Sequence, residues 1–416
     1  MCLRARWRWA CRRGSRGIAR GLNLKRRHRS GMMRIGISAF AGDGGKSGIS
    51  QYMINVLKRL PELAPNDEFV LFMAESDRAF LDLGMPRTQI VCTPDWVAHP
   101  LVNIFWHQFR LPRLLRSHGC DCVFMPAGNR RLAWYYGVPS VGTVHDLSQL
   151  HLPAKYDAFR MFYVLRVLPR FMRRLTRVLS VSESTRKDLI EYARVDPARI
   201  RVVHNGADLA RYRPGDREQA RARIVSVLGT DAPYILYIAR LEHPGKNHVR
   251  LIGAFAALKR AHPELEHKLV LVGSRWNGAE AIDAAVAAHG MQDEVVFPGF
   301  VPNESLCDLY VAADLFVFPS LYEGFGIPVL EAMAAGTPVC ASNTSSIPEV
   351  VGDAGLLFDP ANEDEIAQAM LRLLTDDALR AECVQRGLRQ AKRFSWEAAA
   401  KGVVELCHEA VRACAG

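Results

Sequence analysis

Short runs of Val, Ile, Leu and Phe alternate along this chain with longer amphipathic stretches whose apolar residues recur every three or four positions. The first pattern is that of strands buried on both faces, the second that of helices with one covered face. In the first half the runs predict strands near 33–39, 68–74, 89–94, 122–126, 138–145, 177–182 and 201–205. Helices are expected between them near 48–60, 101–117, 155–175 and 183–193. The second half repeats the scheme, with strands near 234–239, 268–273, 294–298, 314–319, 338–342 and 356–358. Its helices are expected near 247–261, 278–289, 303–312, 328–335, 363–375 and 378–392. Such alternation argues for parallel sheets covered by helices, an α/β fold. The stretch 207–231, with Pro214-Gly215-Asp216 and a charged helical run, separates the two sets. The predicted organisation is a basic segment over 1–32, one α/β domain over 33–210, a second over 211–393, and a last helix over 394–416 that crosses back to the first. Open parallel sheets bind ligands beyond the carboxyl ends of their strands. Two facing sheets therefore imply one cleft between the domains.

A length of 416 residues agrees with two cores rather than one, and 49% hydrophobic with 23% charged residues describes an ordinary globular protein. The net charge of +11 would suggest a nucleic-acid or membrane partner. Its location removes most of that signal. Residues 1–33 hold eleven Lys and Arg and no acid, which accounts for the whole surplus of 54 basic over 43 acidic residues. That segment reads as an arm for anionic lipid or RNA, as an Arg-rich targeting peptide, or, the simplest expectation, as an over-extended start ahead of Met32 or Met33. The ten cysteines are scattered, with only Cys120 and Cys122 close, so zinc and a disulfide framework are not expected. No run of about eighteen apolar residues occurs, so a spanning helix is not expected either.

Chemistry concentrates in Glu323-Gly-Phe-Gly-Ile-Pro-Val-Leu-Glu331. A strand precedes it, and Pro328 and Gly336 bracket a helix within it. Backbone N–H groups at such a helix start meet phosphate, and the two acids suit hydroxyls. Glu331 is expected in the first helical turn, where the helix dipole alone would stabilise it. Glu323 has no evident structural partner. Arg240 and Lys246 follow the strand that begins at Tyr234 and can hold a diphosphate together, and Asn247 is a candidate N-cap. Gly48 closes a polar glycine loop, Gly42-Asp-Gly-Gly-Lys-Ser-Gly48, that fits neither the Rossmann fingerprint nor a P-loop. His145 ends another strand, where it could donate a hydrogen bond to a sugar. Glu349 reads as a helix-start acid. Arg160, Arg166, Arg170, Arg173, Arg174 and Arg177 alternate with Phe162, Tyr163, Leu165, Val167 and Phe171. A helix of that kind can lie on an anionic membrane; packing of one face on its own sheet is the simpler expectation.

Taken together, the Glu-x7-Glu segment, Arg240 with Lys246, the Gly48 loop and the doubled α/β pattern resemble the retaining nucleotide-sugar glycosyltransferases of family 4. The resemblance runs from about Arg34 to 410. It includes His204-Asn-Gly206, Gly299-Phe300, Ala335-Gly336-Thr337-Pro338-Val339 and Phe394-Ser395-Trp396. It implies the GT-B fold: two Rossmann-like parallel-sheet domains facing a cleft. It also implies that Glu331 binds donor ribose, Glu323 the transferred sugar, and the backbone at Phe325, Gly326 and Ile327 the sugar and phosphate. Arg240 and Lys246 would neutralise the diphosphate, Gly48 would lie near it, His145 would sit beside the sugar, and Phe300 with Val301 would line the base pocket. The implied catalytic set is His145, Glu323, Arg240 and Lys246, with no metal and no other cofactor. The first loop departs from the family's simpler Gly-Gly pattern, so which glycine meets phosphate stays open. Phe105-Trp106-His107-Gln108, Met125-Pro126-Ala-Gly-Asn129 and Thr143-Val-His-Asp146 resemble mannosyl- and rhamnosyltransferases of bacterial surface polysaccharides. GDP-mannose is the donor this suggests, with a UDP-sugar as the alternative, and a lipid-diphosphate-linked saccharide at the cytoplasmic face as acceptor. Further alternatives are a nucleotide-sugar 2-epimerase, against which the Glu-x7-Glu segment speaks, and a non-catalytic basic protein. A cytoplasmic location with peripheral membrane contact, and no nucleic-acid partner, completes the expectation.

Overall fold

A computed structural model describes residues 32–40, 44–45, 47–128, 132–151 and 161–415. The basic segment, Lys46, Asn129, Arg160 and the first half of the glycine loop at 41–43 lie outside the described residues. The chain divides into two compact units. The N-terminal unit takes the chain up to Gln149, the described residues from Met161 to Asn205, and the closing helix from Trp396; the C-terminal unit takes Gly206–Ser395 with Leu150 and His151.

Among the described residues of the N-terminal unit, seven strands pair in parallel: β1 (Arg34–Ser38), β2 (Glu68–Ala74), β3 (Thr88–Thr93), β4 (Cys122–Met125), β5 (Ser140–Val144), β6 (Arg177–Ser180) and β7 (Ile200–Val202). Their order is β3-β2-β1-β4-β5-β6-β7, so the direction of winding reverses between β1 and β4. Central strands such as β4 are buried throughout, which is why they read as unbroken apolar runs. The helix Gly48–Leu63 covers one face with Tyr52, Met53, Val56 and Leu57. The helix Trp396–Ala415 packs against that helix and against β4, β5 and β6. Its Gly402 lies so close to Val203 that a Cβ would stand 2.8 Å from both valine methyls. Arg201 pairs with Glu405 at 3.1 Å and Glu409 at 2.5 Å, and His408 Nε2 lies 2.8 Å from Asp67.

The expected single helix over 101–117 is interrupted. It runs as Pro100–Phe105, a wide π turn at Trp106–Arg110, then Leu111–Ser117. The described part of the expected 155–175 helix does the same: a π turn at Tyr163–Val167 precedes Leu168–Met172. Both turns stand directly before a Leu-Pro-Arg triplet, at 111–113 and 168–170. Proline has no N–H, and its ring crowds the carbonyl four residues back, so the chain widens to an i→i+5 bond just ahead of it.

The C-terminal unit has six parallel strands, β8 (Tyr234–Ile238), β9 (Lys268–Val272), β10 (Val295–Gly299), β11 (Leu315–Phe318), β12 (Val339–Ser342) and β13 (Leu356–Phe358). The order β10-β9-β8-β11-β12-β13 reverses between β8 and β11. Tyr234, Tyr237, Phe316 and Phe318 fill the centre of this core. All eight described cysteines are free thiols, five of them buried. No helix among the described residues is long and apolar enough to cross a membrane.

Candidate functional site

The winding reverses between β8 and β11, and a doubly wound sheet receives ligands in the crevice outside the carboxyl ends of its strands at that point. Two loops enter it. The loop after β8 carries Arg240 and Lys246; the loop after β11 carries Glu323 and leads into the helix Ile327–Ala335. Lys246 Nζ donates to Glu323 Oε1 at 2.6 Å, and both side chains are mostly buried. Glu323 therefore has the structural partner that its local sequence does not reveal, 77 residues away.

Asn247 occupies the N-cap position of the helix His248–Ala261, but its side chain caps nothing. Its backbone is left-handed, with φ +60°. Its Nδ2 donates to the Pro319 and Pro360 carbonyls at 3.0 and 2.7 Å, fastening the Lys246 loop to the ends of β11 and β13. Tyr237 adds a third tie, donating to the Lys246 carbonyl at 2.8 Å. Burial and the neighbouring Lys246 push His248 down to about 3, so its ring is neutral near pH 7.

The 323–331 segment is held by two adjacent serines. Glu323 N donates to Ser345 Oγ at 3.0 Å, and Ser346 Oγ reaches the carbonyls of Glu323 and Phe325 at 3.0 Å each. Phe325 is buried against Phe394, with ring centroids 5.7 Å apart. Gly326 turns the chain into the helix with φ +103°, and a Cβ there would stand 2.6 Å from Ile347 Cδ1. Pro328 falls in the first turn and Gly336, φ +81°, ends the helix, as the sequence predicts. The first N–H groups of a helix lack intrahelical acceptors and carry its positive end, so the Ile327 terminus is an anion-facing edge.

Glu331 departs from expectation. The helix starts one residue earlier than predicted, and Glu331 lies in its second turn, outside the region where the dipole acts strongly. Tyr310 Oη donates to its Oε2 at 3.0 Å. Burial pushes its carboxyl up to about 7, against the opposing effect of hydroxyls from Tyr310 and Tyr212. It is thus a proton-sensitive group near neutrality rather than a dipole-stabilised carboxylate.

Arg240 and Lys246 are not a bare pair of cations. Arg240 is half-exposed, pairs with Glu242 at 3.1 Å, and lies 5.2 Å from the Trp276 ring centroid. Each cation has its own carboxylate, so an arriving diphosphate would exchange partners rather than enter an open charge. After β10, Phe300 is half-exposed and Val301 is buried. Glu349 lies in the first turn of the helix Ile347–Val351.

In the N-terminal unit, Gly48 begins the helix Gly48–Leu63, behind an N-cap Ser47 whose side chain accepts from Ser50 N. The left-handed turn falls to Gly44 and Gly45, φ +64° and +82°, rather than to Gly48. One turn on, Tyr52 joins this helix to the end of β5: its hydroxyl lies 2.9 Å from Thr143 Oγ1 and its ring meets the His145 ring edge-on at 4.7 Å. His145 is buried, with Nε2 2.7 Å from the Pro126 carbonyl. A carbonyl only accepts, so Nε2 carries the proton and a neutral ring has Nδ1 as its accepting atom.

Asn247, Tyr237, Tyr310 and the serine pair were not legible as site residues, because each acts through partners distant in sequence. Among the described residues no group of three or more His, Cys, Asp or Glu is placed to hold a metal ion.

A model of the Glycosyltransferase Family 4 domain matches residues 46–211, and one of Glycosyl transferases group 1 matches residues 218–390. The O-antigen chain mannosyltransferase B of Escherichia coli is 32% identical over 369 residues, which is 84% of this chain and 93% of that protein. A D-inositol 3-phosphate glycosyltransferase of Salinispora arenicola is 34% identical over 291 residues, 67% of this chain and 65% of that protein. Among solved structures, HepE of Anabaena in complex with UDP and glucose has a TM-score of 0.70 at 21% identity, over 90% of this chain and 98% of its own, a likeness of fold.

Proposed function

The chain belongs to the family 4 glycosyltransferases, and from that premise we propose that it is a retaining hexosyltransferase taking mannose from GDP-mannose to a lipid-diphosphate-linked saccharide. The observation that carries this reading is the Lys246–Glu323 pair at the reversal point of the second sheet, beside the N-terminus of the helix Ile327–Ala335. It brings a cation, a hydroxyl acceptor and an anion-facing helix end into one crevice. The mannosyl choice rests on the Escherichia coli relative named for that activity.

In this reading Arg240, Lys246 and the N–H groups at Gly326 and Ile327 receive the diphosphate, with Gly48 close to it. Glu331 accepts from the ribose hydroxyls. Glu323 and His145 lie beside the sugar, and Phe300 and Val301 beside the base. As the anomeric C–O bond breaks, its electron pair stays on the phosphate oxygen, where the cations and helix end stabilise it. The acceptor oxygen bonds to the anomeric carbon from the same face, and its proton passes to that phosphate oxygen. No protein base is needed, and the leaving-group charge is carried by Arg240 and Lys246 rather than by a divalent ion. The acceptor's lipid would place the reaction at the cytoplasmic face of the membrane.

Hydrolysis of GDP-mannose and UDP-glucose without acceptor, assayed side by side, tests the donor. Faster release of GDP is expected; preference for UDP-glucose would replace the mannosyl reading with the UDP-sugar one. Turnover of neither would refute both. Lys246→Ala with full kcat would overturn the leaving-group role.

A further inference from the structure

The helical stretch Pro100–Ser117 buries Asn103, Trp106, His107, Leu111 and Leu115. Its other face is apolar as well. Leu101, Phe105 and Phe109, spaced by four, point outward; Phe105 and Phe109 are 63% and 61% exposed and stack on each other with centroids 6.5 Å apart. Gln108 ties this stretch to its neighbour, donating to the Leu132 carbonyl and accepting from Trp134 N, both at 2.9 Å. Trp134 is half-exposed, meets Phe171 edge-on at 6.1 Å, and carries the Arg174 guanidinium 3.5 Å above its ring. Phe171 lies on the second helix with a π turn, which buries Leu168 and Met172 but leaves Phe162 60% exposed and Leu165 beside it. One face of this helix is thus buried, and Phe162 and Leu165 lie outside it.

The charge on this face is one-sided. Arg110, Arg113, Arg116, Arg166, Arg170 and Arg174 are all exposed; the acids adjoining these stretches, Asp95 and Glu183, are engaged by Ser76 N and by Arg186 at 3.3 Å. Exposed aromatic residues in a patch call for a partner, and a rim dominated by arginine selects a negative one. Aromatic rings and arginine stems suit the headgroup boundary, where apolar bodies and charged tips are both accommodated.

We propose that this face of the N-terminal unit docks on an anionic phospholipid bilayer, with Phe105, Phe109, Trp134 and Phe162 entering the headgroup layer. The proposal rests on the lipid-linked acceptor of the reading above for its purpose, not for its evidence.

Co-sedimentation of the full chain with phosphatidylcholine vesicles, with and without about one third phosphatidylglycerol, tests it. Binding to the anionic vesicles is expected, falling severalfold between about 50 and 500 mM salt. Phe105→Ser/Phe109→Ser, with an unchanged thermal midpoint, lowers the partition coefficient about tenfold or more. Arg166→Glu/Arg170→Glu lowers it on anionic vesicles alone. A chain starting at Met32 still binds. Equal binding by the Phe double variant, or loss of binding on removing residues 1–31 alone, overturns the proposal. Failure of every vesicle also overturns it and leaves the face to an acidic protein. Donor hydrolysis without vesicles is recorded for each variant. Vesicle binding without hydrolysis would keep the docking surface and remove the donor assignment; hydrolysis without vesicle binding would do the reverse.

Discussion

Gly326→Ala tests whether the entry to the helix Ile327–Ala335 depends on the absence of a side chain. Two costs are built into the position. The backbone stands at φ +103° and ψ +50°, beyond the left-handed region that already costs an L-residue about 1–2 kcal/mol. The new methyl would lie 2.6 Å from Ile347 Cδ1, against an ordinary carbon contact of about 3.5–4.0 Å. Ile347 is fully buried, so it cannot swing into solvent, and overpacking of that kind costs about 1–3 kcal/mol. The sum is a loss of about 2–5 kcal/mol in this unit. Hydrogen exchange read over peptides spanning 323–335 isolates the local effect from the N-terminal unit. Ile347→Val, which removes Cδ1, separates the two costs. The double variant should recover the overpacking share and keep the backbone share, giving a coupling of about 1–3 kcal/mol. A single variant within about 0.5 kcal/mol of the parent, or strict additivity with Ile347→Val, would refute the reasoning.

Glu331 supplies a pH test. Its carboxyl is raised from 4.5 to about 7, so between those values the folded state holds a proton that the unfolded state lacks, and stability falls as pH rises through that window. The ceiling is about 3 kcal/mol; Glu331→Gln should flatten the slope of urea midpoints between pH 5 and pH 8, and equal slopes would sink the assignment. Because ribose hydroxyls donate to the ionised form, the donor KM should fall as pH rises through about 7, and a flat KM would count against contact with Glu331. Asn247→Asp tolerates the left-handed backbone but loses both donors to Pro319 and Pro360, so kcat should drop at least about tenfold while Asn247→Gly, which loses the same ties, drops with it. Retention of activity by either would show that Lys246 is positioned by something else. Extended treatment with EDTA should leave donor turnover unchanged if Arg240, Lys246 and the helix end carry the leaving-group charge; loss restored by a divalent ion would reject that arrangement.

Much of the fold was legible because buried parallel strands leave a simple trace. Glu68-Phe-Val-Leu-Phe-Met-Ala74 is bounded by polar residues and forms β2 over those same positions. Pro328 and Gly336 mark their helix through backbone chemistry that each residue carries alone. What escaped depends on pairs remote in sequence. Glu323 finds Lys246 77 positions away, and Asn247 finds Pro360 113 positions away. No local pattern distinguishes a capping asparagine from one that braces two strand ends. The same limit applied to the two helices with π turns. Their amphipathic periodicity was visible, but periodicity does not say whether both apolar faces have a neighbour.

The helix Trp396–Ala415 completes the N-terminal unit although the whole of Gly206–Ser395 precedes it in the chain. During synthesis, β4, β5 and β6 must therefore wait uncovered while the second unit emerges and folds. Leu406, Cys407 and Ala410 are fully buried in the finished unit, so the surface they will cover is exposed to other nascent chains throughout that interval. A ribosome that stops early, even just after Ser395, would release a finished second unit joined to an incomplete first one. Quality control would meet that product as a half-native chain with an open apolar face, a form that full-length unfolding experiments do not sample.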